Sequence, residues 1–429
     1  MKIVPHIDAS AAGGVIRVPT PIKVCMHVLG KARIDVRAIR AAKTLVEAGY
    51  SVSIVDIEGE SECIGPTENI QGASVKHLTV PNSFIATRFK KWVLIRAVLM
   101  LIRSALRLIQ TPADIYHALD LPAFPACYIA ARLRRKPLIF EAYELPLSTL
   151  PVSELNRSRR LLQAFLAPLL TYMVPRCAGV ISVSPPIVRE MCKRYRIQGV
   201  ALIRNIPEYR DVQKSDRLRQ HLGLSPEVRI ALYQGHLQPD RGLDRLVRTA
   251  AFLEQNIVIV MMGSSAGRTQ AQLKDLITHE GVADRIKIIP PVPYAELPDW
   301  TSSADIGLII YKPDYSPNVQ MMLPNKLFEY LMAGLPVLAS PLDAVAEVIR
   351  AHDVGLILSS FAPADVGAAI NAMLADRVAL ARMRHNALLV AQQEFCWEKE
   401  CLQLLYLYRN ILATRYVQER AVDKDELNK

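Results

Sequence analysis

Short apolar runs, each ended by glycine or a polar residue and followed by a helix-length amphipathic stretch, recur along this chain and restrict it to one class of fold. "KVCMHVLG" at 23–30 is such a run, closed by Gly30. "DVRAIRAAKTLVEAGY" at 35–50 then repeats its apolar residues at helical spacing, with Asp35 suited to the N-cap and Gly49 to the C-cap. "SVSIVDIE" at 51–58 returns to strand. Strand, helix, strand in that order predicts a parallel sheet with right-handed crossovers, and "KPLIFEAY" (136–143) and "AGVISVS" (178–184) continue it.

The pattern breaks at 205–228, where "NIPEYRDVQKSDRLRQHLGLSPE" is polar, proline-bearing and poor in periodic apolar residues. It restarts with "VRIALYQG" (228–235), "IVIVMMG" (257–263), "IKIIP" (286–290), "DIGLIIY" (305–311), "LPVLAS" (335–340) and "VGLIL" (354–358). At 429 residues the chain exceeds the size at which single cores stop growing. Two doubly wound α/β halves are therefore expected, with ligands where the strand carboxyl ends meet a cleft. No G-x-G-x-x-G follows the first strand of either half, which argues against a dinucleotide-dependent dehydrogenase.

A formal charge of +11 calls for an anionic partner. Nucleic acid fits poorly, because aromatic residues do not interleave with the basic ones and no binding motif is present. Residues 84–113 carry six basic side chains and no acidic one, with Arg96, Arg103 and Arg107 in one helical stripe among Leu, Ile, Val and Met. Residues 157–176 have the same character, interrupted by Pro168. Apolar area flanked by cations suits an anionic membrane surface; the same helices could equally be covered within a domain. Seven cysteines without a close C-x-x-C pair give neither a disulfide framework nor a zinc site, and a reducing cytosol is the expected home. The N-terminal stretch lacks the apolar core of a secretory signal, and no run reaches the roughly 18 apolar residues of a spanning helix.

The most informative segment is "LPNKLFEYLMAGLPVLAS" at 323–340. Pro324 fits the first turn of a helix, whose free N–H groups make an anion site. Lys326 adds a mobile charge suited to a diphosphate, and Glu329 lies on the same face about one turn deeper. A carboxylate there can accept hydrogen bonds from the vicinal hydroxyls of a ribose, so a nucleotide-sugar fits. A buried helix with a capping asparagine and a surface Lys–Glu pair fits the same residues.

"PNKLFEYLMAGLPVLAS" resembles the donor-binding segment of glycosyltransferase family four, the retaining group with the GT-B fold. Other segments resemble that family in the same order: the 35–56 helix and strand, "HALDLPAF", "FEAYELP", "ISVSPPIVREM", "LIRNIPE", the loop "YQGHLQPDRGLDRLV", and the terminal "CWEKECLQLLYLYRNIL". The resemblance implies two Rossmann-like domains facing a cleft: an acceptor-side domain of 1–207, completed by a helix of 397–429 crossing back, and a nucleotide-sugar domain of 208–396. It implies donor contacts from Gly235, His236, Arg241, Asn325, Lys326, Leu327 and Glu329, with Arg241 and Lys326 on the diphosphate and Glu329 on the ribose. Gly30, His117, Asp120, Tyr143 and Glu144 become acceptor-side candidates, although each also reads as a turn, a cap or a core residue. No metal or cofactor is expected, because lysine and arginine take the cation's role.

Three positions depart from the family pattern. Met321 stands where the motif's first glutamate is usual, His236 where the loop carries arginine, and Tyr143 where the cleft carries histidine. The expected activity is transfer of a sugar from a UDP- or GDP-sugar to a lipid-linked or saccharide acceptor in cell-surface polysaccharide synthesis, at the cytoplasmic face of the plasma membrane. A non-catalytic homologue serving as an assembly scaffold, and a nucleotide-sugar epimerase, are the alternatives.

Overall fold

A computed structural model describes residues 21–59, 65, 67–80, 90–149, 157–238, 241–265 and 267–427. Among these, the first sheet has eight strands: β1 (Lys23–Val28), β2 (Ser51–Gly59), β3 (Thr67–Ile70), β4 (Ala73–Val80), β5 (Ile115–Leu119), β6 (Leu138–Ala142), β7 (Gly179–Ser182) and β8 (Ala201–Leu202). Their order is β3-β4-β2-β1-β5-β6-β7-β8. All neighbours run parallel except β3 and β4. That antiparallel edge departs from the expected all-parallel sheet. Its cause is the two-residue turn Gln71–Gly72, with φ of +49° and +88°, the conformation that closes a tight hairpin.

The second sheet holds β9 (Arg229–Gln234), β10 (Ile257–Met262), β11 (Ile286–Ile289), β12 (Ile306–Ile309), β13 (Val337–Ala339) and β14 (Gly355–Ile357), in the order β11-β10-β9-β12-β13-β14 and wholly parallel. The central strands β5, β6, β10 and β12 are buried at every position, which is why they read as unbroken apolar runs rather than alternating ones. Between the sheets, the polar 205–228 connection contains one short helix, Arg217–Leu222.

Local signals produced the expected ends. The Asp35 carboxylate accepts the Ala38 N–H at 2.9 Å and starts the Val36–Glu47 helix, while Gly49 (φ +91°) stands one residue past the Ala48 cap. The last helix, Trp397–Leu427, packs on the face of the first sheet that also carries the Val36–Glu47 helix. Trp397 Nε1 donates to Thr44 Oγ1 at 2.8 Å, and the Tyr408 ring meets Tyr50 edge-on at 5.6 Å. Gly179 on β7 leaves room there for Leu407 and Ile411.

Candidate active site

Strand ends and the loops leaving them enclose a cavity of about 360 Å³ between the two sheets. Tyr143 and Glu144 follow β6 and Val183 follows β7 on one wall, joined by Arg37 from the first helix. Gly235, His236, Arg241 and the start of the Asn325–Met332 helix form the other wall. Glu329 also borders a second cavity of about 470 Å³, lined by Arg40, Glu208, Tyr294 and Thr301. The sites therefore lie at strand carboxyl ends, as doubly wound sheets dictate.

Pro324 is extended (φ −72°, ψ 141°) and caps the Asn325–Met332 helix from outside, one position before the first-turn place expected of it. No side chain caps the helix, so neither the proline nor Asn325 acts as a capping side chain. Asn325 is exposed at the cavity. Leu327 departs from its expected part: its side chain is fully buried in the core, and its N–H goes to the Pro324 carbonyl at 2.9 Å.

Lys326 is neither the mobile charge expected of it nor half of a surface pair. Only 6% exposed, it places its amine 3.6 Å from the centre of the Tyr233 ring and 5.3 Å from that of Tyr311. The Arg241 guanidinium lies over the same Tyr311 ring at 4.6 Å. The negative ring faces thus gather two cations at one wall in a medium where their charge is poorly screened. Gly235 (φ +119°) passes beneath, where an added Cβ would stand 3.5 Å from the lysine amine.

Glu329 is held rather than free. Gln234 Nε2 donates to its Oε2 at 2.5 Å, and Gln234 Oε1 in turn accepts from Thr301 Oγ1 at 2.8 Å. Burial pushes the Glu329 carboxyl above the usual range, against the Gln234 hydrogen bond and the charges of Lys326 and Arg40. His236 is exposed; its Nδ1 pairs with Ser264 Oγ at 2.8 Å, and its carbonyl accepts from Tyr233 Oη at 2.7 Å. Met321 packs beside the first domain's core, and its carbonyl accepts from Ser184 Oγ at 2.6 Å.

Of the acceptor-side candidates, the structure brings Tyr143 and Glu144 to the cavity and leaves His117, Asp120 and Gly30 off its wall. His117 is fully buried, with Nε2 3.0 Å from Glu141 Oε2 and Nδ1 2.9 Å from Tyr408 Oη. It is a core histidine, a correction to its candidacy. Asp120 begins the Asp120–Arg134 helix at φ +69°, its carboxylate taking the N–H groups of Leu121 and Tyr143, and burial raises its pKa. Gly30 offers its carbonyl to the Ile57 N–H at 3.0 Å, as an ordinary turn would.

Sequence reasoning missed Arg37, Tyr233, Gln234 and Tyr311. Their one shared signal is position, at or just past a strand end or in the first helix turn. Among the described residues one group has metal-ligand spacing: Asp56, Glu58 and His77 lie on β2 and β4, and their ligand atoms fall within 4.8 Å of one another. It is closed on itself: Asp56 takes His77 Nδ1 at 2.7 Å and the Ala32 N–H at 2.9 Å, and Arg33 reaches Glu58 at 2.9 Å.

The two basic apolar segments are helices at Lys90–Gln110 and Arg157–Met173; residues 84–89 of the first segment lie outside the described residues. Neither helix is covered all round. Ile95, Val98, Ile102 and Leu106 are exposed on the first, and Leu161, Leu162, Phe165 and Tyr172 on the second, where Phe165 reaches 71%. No helix among the described residues is long and apolar enough to cross a membrane.

Comparison with known proteins gives the geometry a context. Residues 214–389 match the family described as "Glycosyl transferases group 1", and residues 34–206 match "Glycosyltransferase Family 4". A D-inositol 3-phosphate glycosyltransferase of Catenulispora acidiphila is 28% identical over 207 residues, 46% of this chain and 48% of that protein. That of Nocardia farcinica is 29% identical over 223 residues, 50% of this chain and 48% of that protein. The match spans about half the length of these curated relatives. Among solved structures, sucrose-phosphate synthase from Thermosynechococcus elongatus superposes with a TM-score of 0.74 at 16% identity, covering 92% of this chain and all of that one. Anabaena HepE in complex with UDP and glucose gives 0.68 at 16% identity, over 91% of this chain and all of HepE.

Proposed function

We propose, from the premise that this chain belongs to the group 1 glycosyltransferases of family 4 and has their GT-B fold, that it transfers a sugar from a nucleoside diphosphate sugar to a saccharide or lipid-linked acceptor. The observation that carries this reading is the pairing, on one short helix, of a fixed cation at Lys326 with a braced carboxylate at Glu329. Residues 208–396 then form the donor domain, and residues 1–207 with 397–429 the acceptor domain.

In this reading Glu329 accepts the two ribose hydroxyls with its remaining lone pairs, and Gln234 keeps its orientation. Lys326 and Arg241, with the first N–H groups of the helix, meet the diphosphate. As the glycosidic bond breaks, negative charge grows on the leaving phosphate, and these preset donors need no reorganisation to meet it. His236, backed by Ser264, supplies a further donor there. The cations take the part a divalent ion plays elsewhere, so transfer is metal-independent and needs no cofactor. By likeness to the family it retains anomeric configuration, with a donor phosphate oxygen taking the acceptor's proton.

The exposed apolar side chains of Lys90–Gln110 and Arg157–Met173, set among arginines, support attachment to an anionic membrane surface. A peripheral enzyme at the cytoplasmic face, acting in cell-surface polysaccharide synthesis, is consistent with that face and with the charge of +11.

Thermal shift with UDP, GDP and ADP and their common sugars, on wild type and Glu329→Ala, tests the donor site. A ligand at about 100 times its dissociation constant adds about 2.7 kcal/mol of stability. A nucleotide-specific rise lost in the variant is the expected result. No rise with any nucleotide in folded protein would refute the donor site, and binding without donor turnover would favour the scaffold alternative that Met321, His236 and Tyr143 together suggest.

A further inference from the structure

Arg37 lines the cavity while only 4% exposed, and the donor chemistry leaves it unused. Its Nε and Nη2 pair with the Glu141 carboxylate, and Nη2 also donates to the Ile203 carbonyl at 2.7 Å. Nη1 is buried with no hydrogen-bond partner among the described residues. The same holds for Tyr143 Oη, whose ring centre lies 5.4 Å from the Arg37 guanidinium carbon. Folded chains rarely leave such donors unanswered, and two of them meeting at one cavity wall point to a ligand that answers both.

We propose that Arg37 Nη1 and Tyr143 Oη form the subsite for the acceptor, and that this subsite takes an uncharged, hydroxyl-bearing saccharide rather than an anionic group. The inference rests on the glycosyl-transfer reading and adds the acceptor's chemistry to it. Charge decides between the two ligand classes. Glu141 already matches the positive charge of Arg37, so the guanidinium offers a directed hydrogen bond with little net attraction for an anion. Burial and the facing carboxylates of Glu141, Asp35 and Asp120 raise the Tyr143 phenol well above its ordinary value, and burial, with a smaller push from Glu141, raises both Asp35 and Asp120. Glu144 adds a further carboxylate on the cavity wall itself. A phosphate at this wall would face these carboxylates, while the cations of the opposite wall, Lys326 and Arg241, are taken by the donor diphosphate in this reading. A sugar hydroxyl can accept from Arg37 or Tyr143 and donate to a carboxylate.

The Arg37 fork is fixed from behind. Glu141 is gripped by His117, and His117 by Tyr408 of the Trp397–Leu427 helix. Burial pushes the Glu141 carboxyl up, but Arg37 and His117 outweigh it and hold it at about 2, so the brace stays ionised at any working pH.

Ligand-detected saturation-transfer NMR tests the proposal. The probes are methyl α-glucoside, methyl α-galactoside, methyl α-mannoside and methyl α-rhamnoside against D-myo-inositol 3-phosphate, each with and without UDP. Wild type is compared with Tyr143→Phe, which removes only the unpartnered hydroxyl, and with the charge-neutral pair Arg37→Gln and Glu141→Gln. An uncharged glycoside should bind wild type and weaken by roughly tenfold in Tyr143→Phe, while UDP-induced thermal stabilisation stays unchanged. Preference for the inositol phosphate, no binding of any glycoside, or glycoside binding equal in all three proteins would overturn the proposal. Loss of UDP binding in wild type would count against the donor reading alone, because the glycoside arm also runs without UDP.

Discussion

Replacing Tyr330 by phenylalanine should cost far more than the loss of one hydroxyl suggests. The ring is fully buried in the second domain's core, and its Oη stands where β9 and β12 part. Those strands pair only at Ala231–Ile306 and Leu232–Gly307. Beyond that point the hydroxyl replaces the missing ladder, accepting the Gln234 N–H at 3.0 Å and donating to the Leu232 carbonyl at 2.9 Å. Gly307 leaves room for it, since a Cβ there would overlap the tyrosine ring. Phenylalanine would strand one buried donor and one buried acceptor, each at about 1–3 kcal/mol, so roughly 3 kcal/mol in all. For a folding unit of about 200 residues that lowers the melting midpoint by roughly 6–12 °C. Differential scanning calorimetry on Tyr330→Phe, with the exposed Tyr406→Phe as control, reads the effect. Because Gln234 also braces Glu329, nucleotide affinity should fall with it. A midpoint within about 2 °C of wild type would show that the strand gap closes by other means, and would refute the reasoning.

Glu329→Gln should separate stability from function. The folded carboxyl's raised pKa means the folded chain holds a proton that the unfolded chain has released, so wild-type stability falls as pH climbs from the unfolded value through the folded one. The glutamine variant lacks that loss; it should be at least as stable as wild type at pH 8 and show no UDP-induced shift, both read by thermal shift across pH 4–8. Lys326→Ala should lower donor turnover by roughly 10²–10³-fold, measured as UDP release, if the amine meets the leaving phosphate; an unchanged rate would remove it from the mechanism. Leu161→Ser with Phe165→Ser, both on the exposed face of Arg157–Met173, should abolish co-sedimentation with phosphatidylglycerol vesicles at 0.1 M salt while leaving the melting midpoint within about 2 °C; sedimentation equal to wild type would exclude that face from membrane contact.

How much of this was legible in the sequence depends on how local the cause is. The parallel strands of both halves were readable because strands buried on both faces spell continuous apolar runs. The β3–β4 hairpin was not, because its partly exposed strands lack that signature and its turn is marked only by Gln71–Gly72. Lys326 and Glu329 were legible because three-residue spacing on a helix fixes their shared face. Their state was not: Lys326 is immobilised by Tyr233 and Glu329 by Gln234, neighbours on β9 that are remote in sequence and linked to the helix by no local pattern. Arg37 shows the limit most clearly. In the sequence it is one of several arginines on an amphipathic helix, and amphipathicity assigns it to solvent. Only the fold reveals that β6 carries Glu141 to its guanidinium and that the last helix locks the pair from behind through Tyr408 and His117. Burying a charge is tolerated when a partner is supplied, and the partner here comes from more than a hundred residues away. A helix that returns from the far end of the chain therefore braces the proposed acceptor wall from behind, and substitutions at Tyr408 should reach the cavity without touching it.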